Sequence, residues 1–213
     1  MSGTGRFITL EGIEGVGKTT QVARLSEFLS FQGISHVVSR EPGGTPLAES
    51  IRQVVLTAGE ESLPPTAELL LMFAARAVHL SNHIEPSLRA GHWVICDRFT
   101  DATYAYQGGG RGLPIEDIQS LERMVQGNLR PDLTILLDAP VQHALSRARQ
   151  RNAGILEDRF ERERSQFFER VRNAYCARAA AEPGRIAVID ATRTVEEVRA
   201  GIVEQLKARS WIS

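Results

Sequence analysis

Short apolar segments recur along this chain of 213 residues, and longer segments with helical spacing separate them. The apolar runs are rich in β-branched residues and largely lack alternation, which is typical of strands buried on both faces. Helices between such strands indicate a parallel sheet covered on both sides. We therefore predict an α/β fold with five parallel strands, at residues 6–11, 36–40, 93–97, 133–138 and 186–190.

The helical segments differ in how apolar they are. The segment after the first strand places Val22, Leu25 and Leu29 on one face, and Gly33 is a natural stop. One stripe of the longer segment at about 65–89 should pack on the core, and a second stripe is either solvated or meets a partner subunit. The apolar residues of this longer segment are Leu69, Leu70, Met72, Phe73 and Ala77.

Composition and charge exclude several classes of protein. The net charge of −1 argues against a basic nucleic-acid binder, and no apolar run approaches the roughly 18 residues that span a bilayer. Cys96 and Cys176 have neither metal-ligand nor redox spacing, which favours a reducing cytoplasm. We predict a cytoplasmic protein with one domain, residues 1–213, and no nucleic-acid or membrane partner.

One motif carries recognisable chemistry. Residues 12–19 fit the P-loop pattern G-x-x-x-x-G-K-[ST], between a predicted strand and a predicted helix. Its glycines let backbone N–H groups turn towards phosphates, Lys18 can reach the β- and γ-phosphates, and the Thr19 hydroxyl can ligate Mg²⁺. The predicted ATP-binding residues are Gly12, Ile13, Glu14, Gly15, Val16, Gly17, Lys18, Thr19 and Thr20.

The remaining basic residues narrow the kind of P-loop protein. Lys207, the only other lysine, precedes Ala-Arg-Ser, so the guanine-reading Asn/Thr-Lys-x-Asp motif of GTPases is absent from the sequence. Arg40, Arg76 and Arg98 instead fall near predicted strand ends or in the long helix, where ligands of open α/β sheets bind. Several guanidinium groups suit a kinase that aligns two anionic substrates.

Motifs distributed along nearly the whole chain resemble the thymidylate kinase family. They are EGIEGVGKTT (11–20), REPGGT (40–45), FAAR (73–76), DRF (97–99), TYAYQGGGRG (103–112), RPDLTILLD (130–138) and IDAT (189–192). The resemblance implies a P-loop NTPase-type five-stranded sheet with a small mobile lid, a homodimer, and phosphorylation of dTMP by ATP with Mg²⁺. The alternatives are another P-loop nucleoside or nucleotide kinase, which Arg76 and Gln107 disfavour, and a non-catalytic nucleotide-binding module, which Lys18 and Asp97 disfavour.

The resemblance also implies roles for individual residues. Arg98 would hold the acceptor phosphate, Glu14 would contact the 3′-hydroxyl side of the sugar, and Asp97 would join Thr19 near the metal ion. Arg76 would hydrogen-bond the thymine carbonyl. The implied dTMP site comprises Glu14, Arg40, Glu41, Pro42, Met72, Phe73, Arg76, Arg98, Thr103, Tyr106 and Gln107, with Tyr106 closing the space of a ribose 2′-hydroxyl.

The aromatic residue expected to stack on the base departs from the family pattern. Many relatives have phenylalanine four residues before the base-reading arginine, where this chain has Met72, and Phe73 stands three before Arg76. Either Phe73 stacks on the base, or Met72 covers it while Phe73 packs in the core. We favour Phe73, because stacking contributes roughly 0.5–1.5 kcal/mol beyond burial.

The lid is expected at about 147–160, in an arginine- and glutamate-rich segment. Family members that lack an arginine after the acidic residue of the P-loop, where this chain has Gly15, carry catalytic arginines in the lid. Arg147 and Arg151 are therefore ranked ahead of Arg149, and Arg147 could alternatively stack on adenine. The implied catalytic residues are Lys18, Arg98, Arg147, Arg151 and Glu14.

Overall fold

A five-stranded parallel sheet forms the centre of the protein, in a computed structural model that describes residues 5–57, 62–151, 159–160 and 163–212. The strands are β1 (Phe7–Glu11), β2 (His36–Arg40), β3 (Trp93–Asp97), β4 (Leu133–Asp138) and β5 (Ile186–Asp190). Their order in the sheet is β2-β3-β1-β4-β5, and all four neighbouring pairs are parallel. The predicted fold class is confirmed, and only the first strand differs from the prediction, by one residue.

Helices cover both faces of this sheet. The alternating side chains of β1 and β3 enter different apolar clusters, with Ile8 and Ile95 on one face and Phe7 and Val94 on the other. The helices of the described ranges are α1 (Lys18–Phe31), α2 (Pro46–Leu56), α3 (Pro65–His79), α4 (Glu85–Arg89), α5 (Thr100–Thr103), α6 (Ile115–Gln126), α7 (Val141–Arg151), α8 (Ser165–Ala181) and α9 (Val195–Ala208).

The long helical segment after α2 is continuous, as its apolar pattern predicts. A π-helical segment, Leu80–Ile84, joins α3 directly to α4, and a second one, Tyr104–Gly110, extends α5. Leu69 of α3 is buried, whereas Leu70 is 53% exposed. One stripe of α3 therefore packs on the core as expected, and contact of the exposed stripe with a second subunit stays a prediction.

The carboxyl ends of the three strands β1, β2 and β3 meet at one edge of the sheet. Arg40 at the end of β2 lies beside Asp97 at the end of β3, and the backbone N–H of Glu41 donates to the Asp97 carbonyl at 2.9 Å. The N–H of Arg98 donates to the carbonyl of Leu10 in β1 at 3.0 Å. Residues that follow these strands are thus brought together.

Among the described helices, none has the length and apolar character needed to cross a membrane.

Candidate active site

The loop between β1 and α1 curls back on itself at glycine residues. Gly12, Gly15 and Gly17 have φ angles of 135°, 80° and 95°, which side-chain-bearing residues rarely adopt. A Cβ atom on Gly15 would also collide with the backbone carbonyl of Ala144 in α7. Since α1 begins at Lys18, the positive end of its dipole points into this loop. The local structure predicted from the P-loop motif is present.

Lys18 is folded over the same loop. Its Nζ donates to the carbonyl oxygens of Gly12 at 3.0 Å and Ile13 at 2.9 Å. Burial lowers the pKa of Lys18 to about 8, and the positive charge of Arg98 acts in the same direction. The next two residues, Thr19 and Thr20, have exposed side chains. The ammonium group is therefore held at the centre of the loop at a cost in solvation that an anion would offset.

Arg98 lies beside Lys18, since both side chains donate to the Gly12 carbonyl. Its guanidinium donates to the Glu14 carboxylate at 2.7 Å and to the Gly12 carbonyl at 2.8 Å, and lies 4.9 Å from the centre of the Tyr106 ring. The Tyr106 hydroxyl donates to the other Glu14 oxygen at 2.6 Å. Burial would raise the pKa of Glu14, but the charges of Arg98 and Lys18 and the Tyr106 hydrogen bond outweigh it, so this pKa is lowered.

Two further groups, which sequence reasoning missed, hold Arg98 in place. Its φ of 69° is unusual for a residue with a side chain. The carboxylate of Glu11 is fully buried. It accepts one hydrogen bond from the backbone N–H of Phe99, the residue after Arg98, and one from the Tyr175 hydroxyl, each at 2.7 Å. Arg98 in turn donates to the Tyr175 oxygen at 3.2 Å. Desolvation raises the pKa of Glu11 to about 8, with the charge of Asp101 adding to it.

The second end of the site is organised around Arg76 of α3, which is 1% exposed. Its Nε donates to Glu41 at 2.7 Å and one terminal nitrogen donates to the Thr103 hydroxyl at 3.0 Å. Nδ1 of His79 lies 3.0 Å from the other oxygen of Glu41. Because a carboxylate only accepts, Nδ1 carries the proton and donates to Glu41. The remaining nitrogen of Arg76, NH1, has no hydrogen-bond partner within the described ranges.

Gln107 presents a similar unpaired atom. Its side chain is fully buried, and its Nε2 donates to Glu68 of α3 at 2.7 Å. The amide oxygen, Oε1, has no hydrogen-bond partner in the part of the chain that the structure describes. Buried polar atoms are nearly always paired, so an unpaired one beside a cavity indicates where a ligand donates.

A cavity runs between these two ends. Seven of the predicted site residues line it: Glu14, Glu41, Pro42, Met72, Arg98, Tyr106 and Gln107. Arg76 and Thr103 lie behind this wall and are joined to it through Glu41. The sequence reasoning missed the other lining residues, which are Arg52, Leu56, Ala102 and Phe160.

Besides Arg76 and Thr103, two predicted residues do not line the cavity. Phe73 is buried with Leu69, Tyr104 and Ile118, whereas Met72 faces the cavity, which corrects our preference for Phe73 as the residue against the base. Arg40 is engaged outside the cavity, because its Nε and one terminal nitrogen donate to Glu49 of α2, at 3.2 and 3.0 Å. Its side chain is 57% exposed and does not line the cavity, so the expectation that Arg40 belongs to the dTMP site is corrected as well.

The predicted lid is described only in part. Arg147 in α7 donates to the Ala191 carbonyl at 3.2 Å, and Arg149 is exposed. The side chain of Arg151 and residues 152–158 lie outside the described residues. Arg159 donates to Glu68 and to the Val55 carbonyl, which places the end of this segment over the cavity wall.

Comparison with known proteins shows similarity over nearly the whole chain. The family model described as Thymidylate kinase matches residues 10–202. The thymidylate kinase of Chromohalobacter salexigens is 60% identical over 210 residues, covering 97% of this chain and 98% of that protein. The thymidylate kinase of Alkalilimnicola ehrlichii is 53% identical over 211 residues, covering 98% and 96%. The crystal structure of thymidylate kinase from Ehrlichia chaffeensis superposes with a TM-score of 0.76 at 35% identity, covering 95% and 98%.

Proposed function

Because the chain belongs to the thymidylate kinase family and phosphorylates dTMP to dTDP, we propose that ATP binds at the P-loop and dTMP in the cavity lined by Glu14 and Gln107. One observation carries this division of the site. Two buried atoms, NH1 of Arg76 and Oε1 of Gln107, have no partner among the described residues; Gln107 lines the cavity, and Arg76 lies behind its wall, bonded to the lining residue Glu41. A donor and an acceptor so placed suit a pyrimidine base.

At the ATP end, Lys18 and the loop amides hold the phosphates. The Lys18 ammonium donates to two carbonyls of the loop, so it is held where phosphates bound by this loop would lie. The open end of α1 adds unpaired N–H groups. The loop residues 12–20 therefore bind the transferring end of ATP.

The residues at this end also fit a magnesium ion. Asp97 has a buried carboxylate oxygen, Oδ1, without a partner in the described ranges, and Thr19 exposes its hydroxyl at the start of α1. Oxygen ligands of this kind suit Mg²⁺, which usually completes its coordination with water and substrate phosphates. When bound, the ion neutralises phosphate charge. Among the described residues no three His, Cys, Asp or Glu side chains cluster around a common point, which agrees with a site that substrate oxygens complete.

At the dTMP end, Arg98 binds the acceptor phosphate and Arg76 donates from NH1 to a carbonyl of the base. Met72 covers the ring, and Glu14 with Tyr106 faces the sugar. Glu41 holds Arg76 through a 2.7 Å hydrogen bond and does not itself need to touch the nucleotide. A base contact through Gln107 Oε1 requires a donor on the base, and the thymine N3–H supplies one.

Catalysis in this site is positioning and charge neutralisation. The dTMP phosphate oxygen is already anionic, so no general base is required. We assign neutralisation of the transferring group to Lys18, Arg98 and Arg147, and the same role is proposed for Arg151, whose side chain lies outside the described residues. Closure of the lid excludes water that would otherwise hydrolyse ATP.

The exposed stripe of α3 near Leu70 is proposed as the dimer contact of a cytoplasmic homodimer.

Proton uptake should accompany ATP binding, because the phosphates restore the charge of Lys18. The pKa of Lys18 is about 8 without nucleotide, against an ordinary value of 10.5. Between these two pH values the free side chain is largely neutral. The affinity for ATP should therefore fall as the pH rises from about 8 to 10.5. Calorimetry at about pH 8.5, in buffers of different ionisation enthalpy, measures the uptake, since ATP itself is fully deprotonated there. A binding enthalpy that is the same in all buffers would contradict the assignment.

A panel of monophosphates tests the proposed acceptor site. In a coupled assay of ADP formation, we expect the highest kcat/KM with dTMP and far lower values with dCMP, dAMP and dGMP. A purine is larger than the pyrimidine that the cavity is proposed to hold, and cytosine lacks the N3–H donor. A higher kcat/KM for any of these three nucleotides would reject the proposed base contacts.

A further inference from the structure

Glu68 is an acidic residue in the first turn of the largely apolar helix α3, and it is fully buried. Its carboxylate accepts from Gln107 at 2.7 Å, from Nε of Arg111 at 3.2 Å, and from Arg159. A buried carboxylate is costly unless donors surround it, and two guanidinium groups and one amide supply them here. Arg111 and Arg159 already balance the negative charge of Glu68. The hydrogen bond from Gln107 adds no charge, but it fixes which end of the Gln107 amide faces Glu68.

The direction matters because an amide has one donating end and one accepting end. A carboxylate between two guanidinium groups only accepts, so Gln107 must turn its NH₂ group towards Glu68. Its Oε1 atom then faces away from Glu68, and it is the atom without a partner in the described part of the chain. Gln107 itself lines the cavity.

We propose that Glu68 is a positioning residue that fixes the Gln107 amide with its oxygen towards the base, and thereby selects bases that carry an N3–H donor. The proposal rests on the binding of dTMP in the cavity proposed above. Thymine has an N3–H group that donates to Oε1, whereas N3 of cytosine is itself an acceptor. With Glu68 in place, cytosine meets a buried acceptor that it cannot pair, which penalises its binding. Uracil has the same N3–H, so this contact does not separate dTMP from dUMP.

Substitution of Glu68 by glutamine tests the proposal with almost no change in shape. The oxygen of the new amide should turn to Arg111 and Arg159, which only donate, and its NH₂ group should face Gln107. Gln107 then turns over and presents NH₂ to the cavity. We expect the ratio of kcat/KM for dTMP to that for dCMP to fall by about 10- to 100-fold in E68Q.

Two comparisons separate this effect from general damage. Glu163 pairs with the same Arg111 but does not contact Gln107, so E163Q should keep the wild-type ratio. In a Q107A background, E68Q should no longer change the ratio, because no amide is left to turn. A folded E68Q protein with the wild-type ratio, or equal changes in E68Q and E163Q, would overturn the proposal. Should the wild-type enzyme itself not prefer dTMP over dCMP, the proposed acceptor site fails instead.

A measurement on the unaltered protein covers the case that E68Q does not fold. In protein labelled with ¹⁵N-glutamine, the Gln107 side-chain signals are those that disappear in Q107A. Their NH₂ protons should exchange with water far more slowly than those of surface glutamines, already without nucleotide, because Glu68 buries and holds them. Exchange as fast as at the surface would show that the amide is not fixed and would overturn the proposal.

Discussion

Replacing Lys18 by alanine should lower kcat by about 10³-fold or more, because its ammonium group is proposed to neutralise the transferring phosphoryl group. The protein should still fold. The Lys18 ammonium donates to the loop carbonyls of Gly12 and Ile13. The loop conformation itself depends on glycines, and α1 packs through Val22, Leu25 and Leu29, none of which K18A alters. Steady-state rates at saturating ATP and dTMP give kcat, and a thermal melt followed by circular dichroism reports the fold.

The chain offers a matched control for this substitution. Lys207, the only other lysine, is exposed in the last turn of α9. K207A removes the same charge and should leave kcat and the melting temperature nearly unchanged. More than a tenth of wild-type turnover in K18A would mean that the loop amides and Arg98 alone neutralise the phosphates, contrary to the role assigned to Lys18.

Replacing Arg76 by alanine should raise the KM for dTMP by about 100-fold, the effect of losing one charged hydrogen bond to a buried carbonyl. KM for ATP should change far less, since Arg76 is bonded to Glu41 and Thr103 and not to a P-loop residue. R76A also leaves the carboxylate of Glu41, which is 4% exposed, with His79 as its remaining side-chain donor among the described residues. Breaking a buried pair in this way costs about 3–5 kcal/mol in the free energy of unfolding, so the variant should be assayed at low temperature.

Two further variants separate the base contact from this loss of stability. H79Q weakens the other side of the Glu41 pair without removing a group at the base, so it should lower the melting temperature and keep the KM for dTMP. R76K keeps a positive charge beside Glu41 but cannot also reach Thr103 and the base, so KM should still rise. An unchanged KM for dTMP in both R76A and R76K would refute the base contact.

The sequence predicts the fold well because its evidence is local. Each strand is a short apolar run bounded by turns or helices, and the predicted strand boundaries agree with β1 to β5 within one residue. The P-loop is likewise encoded by its own glycines and lysine. The order of strands in the sheet was not predicted, since that order depends on contacts between segments far apart along the chain.

Site residues were predicted less completely for a physical reason. One position along a helix turns the side chain by about 100°, so the single step between Met72 and Phe73 decides which residue faces the cavity and which the core. Arg40 was misplaced because its partner, Glu49, lies on the next helix, and the sequence does not show that the two side chains pair. Tyr175 and Arg52 carry no motif of their own. For Glu68 there was a signal, namely a lone carboxylate in an otherwise apolar helix, and it was overlooked.

Glu41 connects the two ends of the acceptor site through covalent and hydrogen bonds of fixed length. Its backbone N–H is bonded to Asp97 at the end of β3, next to Arg98, while its carboxylate holds Arg76 and His79 on α3. On the proposed binding mode, these bonds set the spacing between Arg98 and Arg76. A nucleoside monophosphate that spans this spacing would meet both arginines at once, whereas a free nucleoside or inorganic phosphate would reach only one of them. We therefore expect the acceptor site to distinguish whole nucleotides from their fragments by length.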